Sequence, residues 1–261
     1  GLMKWIFWIF TKQHITSECF LIKRFFSPKS SRCTWRQRLF CWIGFVGARV
    51  LVSKGFIFDF DGVLFDTQRA NYLAYKSSLD GFVADFNQDT YRRLRGLDYR
   101  QMYAALNIPE HLFSEFRQRK QENYRQLMDH IRPNPEVIRW IRRLTQTDGH
   151  LVGICSSASG VNIDAILQSF ECAELFPVRV SSDDVENGKP DAEPYRLCLQ
   201  RLGLSADQAV AFEDSETGVQ SALAAGIQTK LVTTFMKKEE AEDLQKRYAV
   251  SVYDFERECD L

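Results

Sequence analysis

The sequence predicts an α/β protein: a Rossmann-like parallel sheet core with a small helical cap domain inserted after the first strand. Three observations predict it. From Gly55 onward short apolar runs alternate with helical patterns, the order that builds a parallel sheet with helices on both faces. The interval 67–132 breaks this alternation and is almost wholly helical in pattern. Carboxylates and small polar residues directly follow several of the apolar runs, at the strand ends where open α/β sheets hold ligands.

The first element is an extension, residues 1–53. The chain has 261 residues, no formal net charge and 45% hydrophobic content, the profile of an ordinary folded protein. That balance excludes a disordered chain and gives no electrostatic reason to expect a nucleic-acid partner. Residues 1–53 depart from it: nine basic residues and one acid, Glu18, give +8, while the rest of the chain carries −8. Four of the five tryptophans also lie there. Its two apolar runs, 5–10 and 39–48, fall short of the roughly 18 residues that span a bilayer. A disordered or non-native extension, an organelle transit peptide and a membrane-surface anchor all fit this composition. Membrane contact is expected only if the segment is an anchor. The remainder of the chain reads as cytoplasmic, or as mitochondrial or plastid if the segment is a transit peptide. The seven cysteines are widely spaced with no Cys-x-x-Cys pair, so neither a disulfide framework nor a zinc site is suggested.

The core is expected over 54–66 and 133–261, and the cap over 67–132. The first strand, 55–59, is an apolar run that ends in Asp59-Phe60-Asp61-Gly62. A sharp turn at Gly62 would leave both carboxylates around the strand's carboxyl end. Taken alone, such a pair also suits a solvated turn. Further strands are predicted at 151–155, 178–181, 209–212, 228–232 and 250–253, with helices at 161–169, 194–202 and 218–225. Within the cap the pattern gives helices at 68–79, 90–94, 99–106 and 109–131. Pro133-Asn134-Pro135 marks the return, since a helix is hard to carry through two closely spaced prolines. The stretch 237–247 is highly charged and helical in character, and reads as solvated surface.

Phe58-Asp59-Phe60-Asp61-Gly62-Val63-Leu64-Phe65-Asp66-Thr67 resembles the first signature of the haloacid dehalogenase superfamily, in its phosphatase and phosphomutase branch. The resemblance implies that Asp59 is the nucleophile that attacks phosphorus. It implies that Asp61 is the acid/base that protonates the leaving oxygen and then activates water. Ser156, after the strand at 151–155, matches the second signature and implies a phosphate-binding hydroxyl, with Ser157 beside it. Asn187-Gly188-Lys189-Pro190-Asp191 matches the third, so Lys189 is expected to hold the phosphoryl group. Glu213-Asp214-Ser215 matches the fourth. The resemblance thereby implies Asp59 by its side chain, Asp61 by its backbone carbonyl and Asp214 directly as Mg2+ ligands, with Glu213 direct or through water, hard oxygen donors of the kind that ion takes. Asp at 61, where metal-independent dehalogenases of the superfamily carry Tyr and its ion-pumping ATPases Thr, favours hydrolysis or transfer of a phosphate ester.

In the cap, Arg119-Lys120-Gln121-Glu122-Asn123-Tyr124 resembles a helix of β-phosphoglucomutase-like proteins, and Lys120 matches a substrate-contacting lysine. Arg95-Gly96-Leu97-Asp98-Tyr99-Arg100 resembles their Gly-containing loop, with Arg100 one place from the family's arginine. Arg95, Arg100 and Lys120 are therefore expected substrate contacts, although a solvated helix surface accounts for such basic residues equally well. Mutases of that subgroup carry a His twelve residues after the nucleophile, where this chain has Asn71, and an amide cannot copy imidazole acid/base behaviour. The expectation is a magnesium-dependent phosphatase acting through an aspartyl-phosphate on a small phosphorylated metabolite, of sugar phosphate or phosphoglycolate type. A β-phosphoglucomutase-like mutase and a catalytically idle binding module are the alternatives. Oligomeric state is not legible in the sequence.

Overall fold

The computed structural model describes residues 54–146 and 149–257, so the basic extension 1–53 lies outside the described residues. Six parallel strands form one sheet in the order β5-β4-β1-β6-β7-β8. They are β1 (Lys54–Phe58), β4 (His150–Cys155), β5 (Val178–Val180), β6 (Ala209–Glu213), β7 (Gln228–Leu231) and β8 (Ser251–Val252). β1 is central. The chain builds outward from it to β4 and β5 on one side, then crosses back to β6, β7 and β8 on the other. The strand order reverses at β1, and a crevice opens there outside the carboxyl ends of the strands.

β1 is buried on both faces, as a central parallel strand must be. Phe56 and Phe58 face one layer, where Phe58 stacks on Phe212 at 4.7 Å and both meet Trp140. Ile57 faces the other, with Val180, Tyr195, Cys198 and Ala211. The first layer is roofed by helices α5 (Pro135–Leu144) and α6 (Gly160–Ser169), the second by α7 (Glu193–Leu202). Two further helices, α8 (Glu216–Ala224) and α9 (Lys238–Tyr248), complete the core. The predicted strands are all present, within a residue or two of their predicted ends.

α5 has no counterpart among the predicted elements. The prolines read as a break are the start of a helix: Pro135 occupies its first turn, where the missing N–H is no loss. A two-residue antiparallel pair was also missed, β2 (Phe65–Asp66) with β3 (Arg132–Pro133). Through it the chain leaves the sheet and returns. Between them lie α1 (Gln68–Ser78), α2 (Gln88–Leu94), α3 (Tyr99–Ala105) and α4 (Phe113–Tyr124). The single helix expected over 109–131 is interrupted, with 3-10 turns at Glu110–Leu112 and Arg125–His130 flanking α4. The four helices enclose an aromatic core of their own, including Tyr75, Phe86, Tyr103 and Phe116.

The thiols of Cys155, Cys172 and Cys198 are buried and unbridged. Among the described residues no helix is long and apolar enough to cross a membrane.

Candidate active site

Asp59 follows β1 directly, and its N–H donates to the Phe212 carbonyl of β6 at 2.9 Å, so sheet pairing sets its position. Two residues on, the chain turns at Gly62, whose φ of +89° is open to glycine and strained for other residues. Space demands glycine as well. A Cβ on Gly62 would stand 2.0 Å from Oδ2 of Asp214, which follows β6. The tight turn thus brings the Asp59–Asp61 segment against the acids at the end of the neighbouring strand.

Lys189 reaches the same point from the loop before α7. Its ammonium, only 2% exposed, donates to Asp59 Oδ1 at 2.7 Å, Glu213 Oε1 at 2.5 Å and the Cys155 carbonyl at 2.9 Å. Burial pulls the Lys189 pKa down, but Asp59 and Glu213 outweigh burial and the net direction is up. Glu213 is fully buried, and burial, moderated by Lys189, pushes its carboxyl up to about 7. Tyr195 of α7 donates to the same Oε1 at 2.6 Å.

Asp59, Glu213 and Asp214 each offer a carboxylate oxygen within 4.8 Å of the others. Asp214 Oδ2 is buried without a hydrogen-bond partner. Burial, opposed by Arg95 and reinforced by Asp59, raises the Asp214 pKa well above the carboxylate range. Buried oxygen donors, one of them unsatisfied, suit a hard cation such as Mg2+.

Asp61 is held from the cap side. Its Oδ1 accepts from the Thr67 hydroxyl and from Asn71 Nδ2 at 3.1 Å, while Asn71 Oδ1 accepts from Lys120 Nζ at 2.9 Å. Burial and the neighbouring Asp59 raise the Asp61 pKa, against the pull of those hydrogen bonds and of Lys120. Lys120 projects from α4 over the rings of Tyr75 and Tyr124, at 4.4 and 5.2 Å, and burial pulls its pKa down to about 8.

The resulting cavity is lined by Asp59, Asp61, Lys120, Lys189 and Asp214, by Arg95 and Ser157, and by a cap wall of Tyr75, Tyr91, Leu97 and Met102. Arg95 donates to Glu240 at 2.7 Å and lies 3.9 Å from Asp214. Ser157 lines the cavity but its hydroxyl donates to the Gly96 carbonyl of the cap at 2.9 Å. Ser156 is buried, and its Oγ accepts from Ala158 N at 3.0 Å, which leaves its proton free to donate. Ser156 is not among the residues that line the cavity, and Arg100 is turned away from it. Its guanidinium sits over Tyr99 at 4.8 Å and reaches the Ser182 carbonyl, outside the cavity lining.

Sequence reasoning missed Tyr75, Tyr91, Thr67 and Tyr195. Thr67, Asn71 and Tyr75 follow one another at a spacing of four, so the face of α1 that carries Asn71 pointed to two of them. No sequence signal marks Tyr91 or Tyr195.

The sequence profile described as haloacid dehalogenase-like hydrolase matches residues 56–232. A phosphorylated carbohydrates phosphatase of Thermotoga maritima is 31% identical over 176 residues, 66% of this chain and 81% of the relative. The β-phosphoglucomutase of Bacillus subtilis is 26% identical over 182 residues, 67% of this chain and 80% of the relative. Among solved structures, CbbY from Rhodobacter sphaeroides in complex with phosphate superposes with a TM-score of 0.64 at 24% identity, over 71% of this chain and 88% of that one. That likeness is one of fold. The profile runs from the first strand of the sheet to just past β7, and on that match the chain belongs to the haloacid dehalogenase-like hydrolase family, in the branch that holds phosphatases and β-phosphoglucomutases.

Proposed function

We propose that the protein is a magnesium-dependent phosphatase that hydrolyses a small phosphate ester, of sugar phosphate or phosphoglycolate type, through an aspartyl-phosphate on Asp59. The division into a core of 54–66 and 133–261 and a cap of 67–132 belongs to the same reading. The observation that carries it is the unequal treatment of two carboxylates at one strand end. Lys189 holds Asp59 Oδ1, and so leaves Oδ2 to act as the nucleophile. Thr67 and Asn71 hold Asp61 Oδ1, and so leave its Oδ2 to carry a proton.

In the first half, Asp59 Oδ2 bonds to phosphorus as the ester P–O bond breaks. Asp61 Oδ2 gives its proton to the departing alkoxide. The raised pKa of Asp61 keeps that proton available. In the second half, Asp61 takes a proton from water, the water oxygen bonds to phosphorus, and the bond to Asp59 breaks to release inorganic phosphate. Lys189 balances the carboxylates throughout and, with Ser156, orients the phosphoryl oxygens. Asp59, Glu213 and Asp214 with their carboxylates, and Asp61 with its backbone carbonyl, would hold Mg2+, which when bound offsets the negative charge of acids and phosphoryl group. The cap excludes water while the alcohol departs.

Asn71 favours this over a mutase. Its amide is committed on both sides, to Asp61 and Lys120, and has no proton to exchange with a substrate hydroxyl. The named activity of the Thermotoga relative supports the same choice. The test is inorganic phosphate release from a panel of sugar phosphates and phosphoglycolate, with Mg2+ and with chelator. Mg2+-dependent release is expected, together with a phosphoryl group on quenched wild-type protein. Both should vanish in Asp59→Asn; retained turnover there would sink the assignment. Isomerisation of β-glucose 1-phosphate without phosphate release would establish the mutase instead.

A further inference from the structure

We propose that this site takes phosphate monoesters of uncharged alcohols and turns away those whose leaving group carries a second anion. The inference rests on the phosphatase reading and narrows it: of the two types named there it keeps the uncharged sugar phosphates and excludes phosphoglycolate. Its basis is that, among the described residues, the three cations that line the cavity are already engaged.

Lys189 is held by Asp59 and Glu213 at 2.7 and 2.5 Å. Arg95 is held by Glu240 at 2.7 Å, with Asp214 at 3.9 Å. Lys120 donates to Asn71, whose amide passes that polarity to Asp61, and two tyrosine rings cover its other sides. Five carboxylates, those of Asp59, Asp61, Glu213, Asp214 and Glu240, therefore face three cations.

The remaining cap arginines nearby are turned elsewhere. Arg117 and Arg100 sit over the ring of Tyr99, at 4.5 and 4.8 Å, Arg117 pairs with Asp183, and Arg100 reaches the Ser182 carbonyl. The wall that would meet the leaving group consists of Tyr75, Tyr91, Leu97 and Met102, with no charge among them. A polyol or sugar can lay its C–H face on such rings and reach the tyrosine hydroxyls. A carboxylate or second phosphate would be desolvated there without a partner, which is costly.

The test uses a size-matched pair, glycerol phosphate against 3-phosphoglycerate, with a hexose 1-phosphate against its 1,6-bisphosphate as a second pair. Two quantities are read with Mg2+ present: kcat/KM of the wild type, and Kd by calorimetry in Asp59→Asn, which binds without turnover. We expect the uncharged member of each pair to be favoured at least tenfold in both. Two variants then address the cause. Glu240→Gln, at a half-exposed position on α9, frees Arg95, and Leu97→Lys adds a cation to the wall. Each should narrow the gap several-fold by tightening binding of the anionic member. Equal or tighter binding of the anionic member by the wild type overturns the proposal, and so does a gap that neither variant alters. If no ester of either kind is bound or hydrolysed, the phosphatase reading itself falls. If the anionic esters alone are rejected, both stand.

Discussion

Tyr195 donates its hydroxyl proton to Glu213 Oε1 at 2.6 Å, the same oxygen that accepts from Lys189 at 2.5 Å. All three side chains are essentially closed to solvent. One buried carboxylate oxygen thus anchors both the lysine that holds Asp59 and a tyrosine on α7. Loss of a donor to a buried charged acceptor costs about 1.5–3 kcal/mol. Tyr195→Phe should therefore lower the urea unfolding free energy by that amount. It should also weaken phosphate release, because Lys189 loses its fixed counter-charge. An unchanged unfolding midpoint would show that the bond contributes nothing.

Gly218 in the first turn of α8 leads to a prediction whose sign runs against helix propensity. Alanine normally stabilises a helix by about 1 kcal/mol relative to glycine. Here a Cβ would fall 2.0–2.2 Å from the Glu213 carboxylate atoms, which Lys189 and Tyr195 hold in place. Gly218→Ala is expected to destabilise by about 1–3 kcal/mol, the cost of overpacking. Thermal unfolding of the variant checks this, and a raised midpoint would refute it.

The acid cluster links stability to pH and metal. Burial raises the pKa values of Asp61, Glu213 and Asp214, Glu213 to about 7. Between the ordinary carboxylate range and about pH 7 the metal-free native chain therefore binds more protons than the unfolded chain. Its stability falls as pH rises through that window. In chelator the urea midpoint should be higher at pH 5 than at pH 7.5. Mg2+ should restore it chiefly at pH 7.5, since metal binding needs the deprotonated acids. A midpoint indifferent to Mg2+ at both pH values would contradict the metal assignment.

Lys120 contributes the opposite slope at alkaline pH. Burial lowers its pKa to about 8 from the ordinary lysine value of 10.5. Between those values the unfolded chain holds more of the Lys120 proton than the native one, so this residue contributes a rise in stability with pH, against the fall contributed by the buried cysteines and tyrosines whose pKa values are raised. Lys120→Met should remove that contribution and make the slope more negative. The check is the urea midpoint of both proteins at pH 8 and pH 10; equal slopes in the two would remove Lys120 as a source.

Much of the core site was legible because it is encoded at strand ends. Asp59, Glu213 and Asp214 each end or follow a short apolar run, and parallel strands in one sheet bring their carboxyl ends together, whereas Lys189 lies nine residues beyond β5 and was legible only through its family signature. The cap was less legible. Arg100 and Lys120 stand on helices, where a displacement of one residue turns a side chain by about 100°. The one-place offset of Arg100 accordingly sends it to Tyr99 and Ser182 rather than into the cavity. Pro135 misled for a related reason, since proline breaks a helix in its interior and starts one at its first turn.

The fold class and the strand ends that bear the acids follow from local signals: apolar runs, a turn glycine and the residue that comes next. The lysine and the branch of chemistry follow from the resemblance of four signatures to the haloacid dehalogenase superfamily. Tertiary packing, by contrast, makes Tyr195 share a carboxylate with Lys189, joins Lys120 to Asp61 through Asn71, and sets Arg95 against Glu240. These are meetings between segments tens of residues apart. Side-chain packing sets their ångström-scale distances, and no spacing along the chain carries that information.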